Sequence, residues 1–331
     1  MDPSRPDQET ISAALALACR APSVHNTQPW RWRLGGPSVH LYADPFRGLP
    51  ATDPRGADLL LSCGAALHHL RVALAALGWR AVVHRLPNPA DPGHLAAVEF
   101  TRREPTDADV AMASAIPRRR TDRRRFSSWE VPRPVLDLLT ARAVEEGVIA
   151  HEVVATRDRF ELATAIGEAA AAQDADPAYR AEARRWSGGH ATVDGVPAAN
   201  APAGVPQHGD VRLREFPGGE LVDARRDDWE DDGASLLVLA TSSDDALSRL
   251  RAGEAMSAVL LEATAAGLAT CPLSQPMEVA ATRNRIRAEV LDGSSCPQIL
   301  VRVGWAAFNA DPLPPTPRRH LADVIDQWER T

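Results

Sequence analysis

Residues 20–32 read RAPSVHNTQPWRW and join two different patterns. Before them, ETISAALALACRA is an apolar helical run that Asp7 can cap and Pro22 can stop. After them, Trp30, Trp32 and Leu34 alternate with Arg31 and Arg33, Gly35-Gly36 follows, and SVHLYAD completes a β-hairpin pattern. Between lie Ser23, His25, Asn26, Thr27 and Gln28, all able to hydrogen-bond. As a bare loop, this is a helix stop with an Asx or Ser turn. As a site, its Ser and Asn side chains would hold a polar ring ligand wedged against the sheet.

Outward from this loop, the same helix, turn and strand order recurs. Helices are expected over Asp58–Leu77, Pro134–Glu146, Asp158–Gln173 and Gly253–Ala266, and strands at RAVVHRL, AAVEFT, IAHEVVAT, ASLLVLAT and QILVRVGW. The fold class is therefore α+β. GAALHHLRVALAALG (Gly64 to Gly78) and GEAMSAVLLEATAAG (Gly253 to Gly267) have equal length and glycines at both ends, which suggests a repeated unit whose copies pack together. Residues 174–232 have little periodicity beyond a helical PAYRAEARRW, so this stretch is expected to be a functional lid or disorder.

Composition narrows the chemistry. The 331 residues carry 37 Lys plus Arg against 44 Asp plus Glu, a net charge of −7 that argues against a nucleic-acid partner. Every basic residue is arginine, so Schiff-base and P-loop lysine chemistry are excluded, and an anion site must use Arg forks or backbone amides. Cys19, Cys63, Cys271 and Cys296 are scattered and suit reduced thiols. The polar MDPSRPDQET start is no signal peptide, and no apolar run is judged to approach the roughly 20 residues of a membrane span. A cytoplasmic protein without a membrane partner is expected. No spaced Cys/His set or Gly-x-Gly-x-x-Gly supports a metal or Rossmann site.

Three further stretches carry chemistry. Arg118 to Phe126, RRRTDRRRF, holds six arginines in nine residues and reads either as a solvated basic face or as a phosphate site. GLATCPLSQPMEV places Pro272 and Pro276 around an extended segment that is either a plain linker or a backbone donor for a ligand. PPTPRR, Pro314 to Arg319, is a stiff tail that ends in an arginine pair.

In this order, APSVHNTQPWRW, RRRTDRRRF, CPLSQPM and PPTPRR resemble the flavin-binding nitroreductase superfamily, and most of all its fused, Acg-like branch. The resemblance spans nearly the whole chain outside 174–232. It implies a nitroreductase-like fold with two related halves, 1–113 and 114–331, packed as a pseudo-dimer. Ordinary members are homodimers with FMN at the subunit interface. By similarity, Pro22, Ser23, Val24, Asn26 and Gln28 form the loop that an ordinary member takes from its partner subunit. Arg120, Asp122 and Arg124 match the Arg motif, with the one-residue shift to Arg119, Thr121 and Arg123 as the alternative. Pro272, Leu273, Ser274 and Gln275 match the turn at the flavin N5 edge, and Arg318 and Arg319 match the basic tail.

One half carries the Ser/Asn loop and the other the Arg motif, turn and tail. The resemblance therefore implies one FMN per chain and a monomer that imitates a dimer. It also implies hydride transfer from NAD(P)H through FMN to a small-molecule acceptor such as a quinone or nitro compound, with no side-chain nucleophile. The alternative is a flavin-sequestering protein whose 174–232 segment closes over the ring, with Trp186 or Phe216 as the cover.

Overall fold

A computed structural model describes residues 5–188, 192–204, 207–222 and 232–327. Residues 189–191, 205–206 and 223–231 of the expected lid lie outside the described residues.

Asp7 caps α1 (Gln8–Ala18) by accepting the Thr10 amide at 2.8 Å. After the polar loop come the hairpin β1 (Trp30–Gly35) and β2 (Ser38–Ala43), then α2 (Ala57–Ala76), β3 (Trp79–Arg85) and β4 (His94–Arg102). α3 (Asp107–Arg118), absent from the expectations above, is started by a capping box in which Thr106 and Asp109 satisfy each other's backbone amides. It delivers the chain straight into the arginine run.

The rest comprises α4 (Arg133–Glu145), β5 (Ile149–Glu152), α5 (Thr156–Ala175), α6 (Pro177–Arg185), β6 (Gln207–His208), β7 (Val211–Arg212) and β8 (Ser235–Thr241). It continues with α7 (Ala246–Ala265), β9 (Ala269–Leu273), α8 (Gln275–Glu278), α9 (Ala280–Arg285), β10 (Cys296–Gly304), α10 (Leu321–Val324) and β11 (Ile325–Gln327). α7 starts earlier than its apolar face suggests because Asp245 caps it through the Ser248 amide at 2.8 Å. β9 tolerates Pro272 because it is an edge strand.

The two main sheets share one plan. The first runs β11-β1-β2-β4-β3 and the second β5-β8-β10-β9, so each has a central antiparallel pair flanked in the same sequence order. The chief difference is one connection. β1 and β2 meet through Gly36-Pro37, whereas the chain between β5 and β8 carries α5, α6 and the small β6–β7 hairpin. β11 crosses from the second half to pair in parallel with β1, Trp32 opposite Ile325. The expected boundary at 113/114 falls inside α3.

The halves meet on α2 and α7. A Cβ on Gly64 would overlap the Leu250 carbonyl, and one on Gly253 would overlap that of Leu61. The two glycines thus let the helix backbones touch, each against the residue three before the other's glycine. Gly78 (φ +85°) and Gly267 (φ +82°) end these helices in the left-handed region. One core, including Trp30, Trp32, Leu67, Leu239 and Val259, spans both halves. The expectation about apolar runs is corrected here. α2 is long and apolar enough to cross a membrane, but its lipid-like surface is buried against α1, α3 and α7 as the core helix.

Candidate functional site

The opening loop is a rigid object. His25, Asn26 and Gln28 all take positive φ, 51°, 54° and 52°, a conformation that costs non-glycine residues roughly 1 kcal/mol or more each. Hydrogen bonds hold them there. The Gln28 amide donates to Ser23 Oγ at 2.9 Å, Asn26 Nδ2 donates to the Gly195 and Pro317 carbonyls, and Gln28 Oε1 accepts the Arg319 amide at 2.9 Å.

Two adjoining cavities open against this loop and share Pro22, Ser23, Thr121 and Arg123 in their walls. The first is the more apolar. It is lined by Leu61, Met256 and Ile299, by Pro272–Pro276 with Val24 and His25, and by Leu213, Arg214 and Phe216 from the insertion. The second is basic, walled by Arg20, Arg119, Arg120 and Arg318 with Asn26, Asn200, Pro315 and Thr316.

The basic cavity is charged without internal compensation. Among the described residues, Arg20, Arg119, Arg120 and Arg318 form no ion pair with a carboxylate. Arg119 is buried, and its Nε and Nη1 have no partner; Arg20 Nε and Arg318 Nε are likewise unpartnered. Burial, then the nearby Arg318, Arg120 and Arg20, lowers the Arg119 guanidinium to about 9, and burial with Arg20 lowers Arg318 to about 10. Charges so arranged repel one another and lack solvent, which an anion would reverse.

The structure separates the two registers expected for the Arg motif. Arg124 grips Asp122 through Nε at 2.9 Å and Nη2 at 2.8 Å, its Nη1 donates to the Asp311 carbonyl, and neither Asp122 nor Arg124 is among the described residues that line these two cavities. The shifted set, Arg119, Thr121 and Arg123, faces inward. The chain leaves α3 extended, and alternate side chains of an extended segment point to opposite sides. Arg120 still borders the basic cavity, anchored by the Leu313 and Pro117 carbonyls.

Two other expected residues support the site from outside. Gln28 is fully buried under the loop, and Arg319 ties that loop to the tail by donating to the Gln28 carbonyl at 3.3 Å and the Asp323 carbonyl at 2.8 Å. Of the two aromatics weighed as covers, Phe216 lines the apolar cavity, whereas Trp186 packs by Arg47 and Arg185.

Residues that sequence reasoning missed cluster at Arg214. This buried guanidinium pairs with Glu278, donates to Tyr179 Oη at 2.6 Å and His25 Nε2 at 3.0 Å, and reaches Ser274 Oγ at 3.4 Å. It comes from the aperiodic stretch, where nothing local marks it. Arg123, half-buried, donates to the Asn200 carbonyl at 2.9 Å and lies 4.6 Å over the Phe216 ring.

The equivalent place in the other half is built differently. Arg85 follows Gly78 by the same interval as Ser274 follows Gly267, and Glu146 sits in the α4–β5 connection as Ser23 sits in α1–β1. There Arg71 meets Glu146 at 2.6 Å and Glu254 at 2.9 Å, and Arg85 meets Glu254 at 2.7 Å.

No family model matches the chain. It is similar to a Mycobacterium tuberculosis protein provisionally named NAD(P)H nitroreductase Rv3131, with 50% identity over 97% of this chain and 92% of that protein. A second M. tuberculosis protein, provisionally named NAD(P)H nitroreductase acg, is 41% identical over 96% of this chain and 95% of its own length. Among solved structures, the FMN-dependent nitroreductase NfnB from Mycobacterium smegmatis in complex with NADPH is 17% identical with a TM-score of 0.44, over 68% of this chain and 100% of that one.

Proposed function

We infer the function of this chain from a plain premise, that it belongs to the NAD(P)H nitroreductase family: it is an oxidoreductase that holds one FMN across its two halves. The observation that carries this reading is the basic cavity, four arginines with no carboxylate partner among the described residues and a buried guanidinium with two unpartnered nitrogens, adjoining an apolar cavity. A dianionic phosphate answers the first and a flat aromatic ring the second. When bound, the flavin supplies hydride acceptance from NAD(P)H and hydride donation to a quinone or nitro-type acceptor.

The chain's own residues do the rest. Arg119, Arg120, Arg318 and Arg20 bind and orient the phosphate. Arg123, at the junction of the cavities and free of carboxylate partners among the described residues, holds negative charge that develops on the ring, the task a lysine would otherwise perform. Ser23 Oγ already accepts the Gln28 amide, so its O–H is left to donate. Leu213 and Phe216 exclude water from the ring's face. In the other half the ion cluster of Arg71, Arg85, Glu146 and Glu254 occupies the equivalent place, in keeping with one FMN per chain, a duplicated gene and a monomer that imitates a dimer. Four cysteines without disulfides fit a cytoplasmic setting.

A second reading rests on the insertion, which is tied down at Asn26, Gln28, Arg47 and Glu278. If it is a lid that stays shut, the protein sequesters flavin and reduces little. Absorbance from 300 to 550 nm, recorded anaerobically with NADPH, NADH and then dithionite, separates the two. Flavin bands near one equivalent per chain that bleach with a nicotinamide are expected. Bleaching by dithionite alone would favour sequestration, and a protein that takes up no FMN would overturn both.

A further inference from the structure

The strained loop presents one polar group that the flavin reading leaves unused. His25 is buried, its Nε2 lies 3.0 Å from Arg214 Nη1, and its Nδ1 has no partner among the described residues. A guanidinium can only donate, so Nε2 must be the acceptor. The ring between Arg214 and Arg123 is therefore the neutral tautomer with its proton on Nδ1. The His25 residue lines the apolar cavity, and its Nδ1 is hidden from solvent close to Phe216, whose ring stands edge-on at 5.7 Å. A buried N–H left unpaired costs roughly 1–3 kcal/mol. The left-handed backbone at His25 costs more again, yet the bonds at Ser23, Asn26 and Gln28 enforce it. Costs of this kind persist where a ligand supplies the missing partner.

We propose that His25 is the fixed hydrogen-bond donor of the pocket, offering Nδ1–H to an sp² oxygen of the electron acceptor, and that Arg214 is the positioning residue that sets its tautomer. The inference rests on the flavin reading of the cavities and adds the class of acceptor: molecules with a carbonyl or nitro oxygen able to reach the loop side of the slot. A neutral donor also strengthens as the oxygen gains electron density during reduction, so it favours the reduced state of the acceptor.

The test uses full-length protein loaded with FMN, with menadione as the probe in calorimetric titration of the oxidised form. His25→Phe removes the donor and keeps a ring; His25→Asn shortens the donor and keeps a residue that tolerates positive φ. Both variants should retain FMN affinity within about threefold while menadione binding weakens about fivefold to tenfold, the size of one neutral hydrogen bond. Histidine-selective ¹⁵N spectra of the wild type should show His25 protonated at Nδ1, with that nitrogen shifting on menadione addition. Wild-type protein that binds FMN but no menadione, variants that bind menadione as tightly as wild type, or a proton on Nε2 would each overturn the proposal. Loss of FMN affinity in both variants would assign the donor to the flavin carbonyl and overturn it as well. Wild-type protein that takes up no FMN would fail at the earlier step, the cofactor reading itself.

Discussion

Two arginine clusters in this molecule are treated in opposite ways. Arg71 and Arg85 meet Glu146 and Glu254, and Glu254 is wholly buried between them, so this cluster is complete in itself. Arg20, Arg119, Arg120 and Arg318 meet no carboxylate among the described residues and leave buried nitrogens unpartnered. The difference separates structure from function. A closed ion cluster stabilises the fold it sits in, whereas an open one destabilises it until an external anion arrives.

The largest effect should come from the closed cluster. Glu254→Gln leaves Arg85 without its carboxylate and should lower the unfolding free energy by roughly 3 kcal/mol, the low end for a broken buried pair because both arginines touch water. Urea unfolding measures it, and a loss under about 1 kcal/mol would mean that the cluster is not structural. The open cluster should respond with the opposite sign. Arg119→Met should raise the stability of FMN-free protein by about 1–2 kcal/mol while weakening FMN binding at least about tenfold. A variant that is less stable without FMN would erase the contrast.

The effect that is smallest at neutral pH, and grows only in acid, concerns protons near the shared core. His68 and His69 both place Nδ1 2.8 Å from Ser257 Oγ across the α2–α7 contact. Burial holds both neutral, His68 at about 4 and His69 well below its ordinary value, where the nearby Arg119 adds to the effect. The unfolded chain takes up these protons below about 6.5 and the folded chain does not, so the stability is present above that pH and is lost as pH falls. His68→Gln should flatten the fall between pH 6.5 and 4 by up to about 1.4 kcal/mol per pH unit. An unchanged slope in pH-dependent urea unfolding would show that His68 is charged in the fold.

Much of this was legible because it is local. Asp7 caps a helix with an amide three residues on, Trp30 and Trp32 alternate into a core, and glycines end both central helices. The loop, the Arg run, the turn and the tail could be named as candidate site parts because each is a contiguous segment. α3 was legible in principle from Thr106 and Asp109 but was hidden by the arginines that follow it. β11 was not, since three residues carry no period of their own and their register is set by β1.

What the sequence by itself determined is therefore which segments exist and which chemical groups they bring: arginine as the sole cation, polar side chains between helix and hairpin, prolines at the turn. Only the tertiary structure decided which of those groups face one another. It turned Arg119, Thr121 and Arg123 inward and tied Arg124 back to Asp122. It brought Arg214 from an unpatterned insertion onto His25 and Glu278, and closed one of two matching places with glutamates. The reason is range. Capping, alternation and turns act over a few residues, whereas the pairing of charges depends on which distant elements the packed helices bring within a few ångströms.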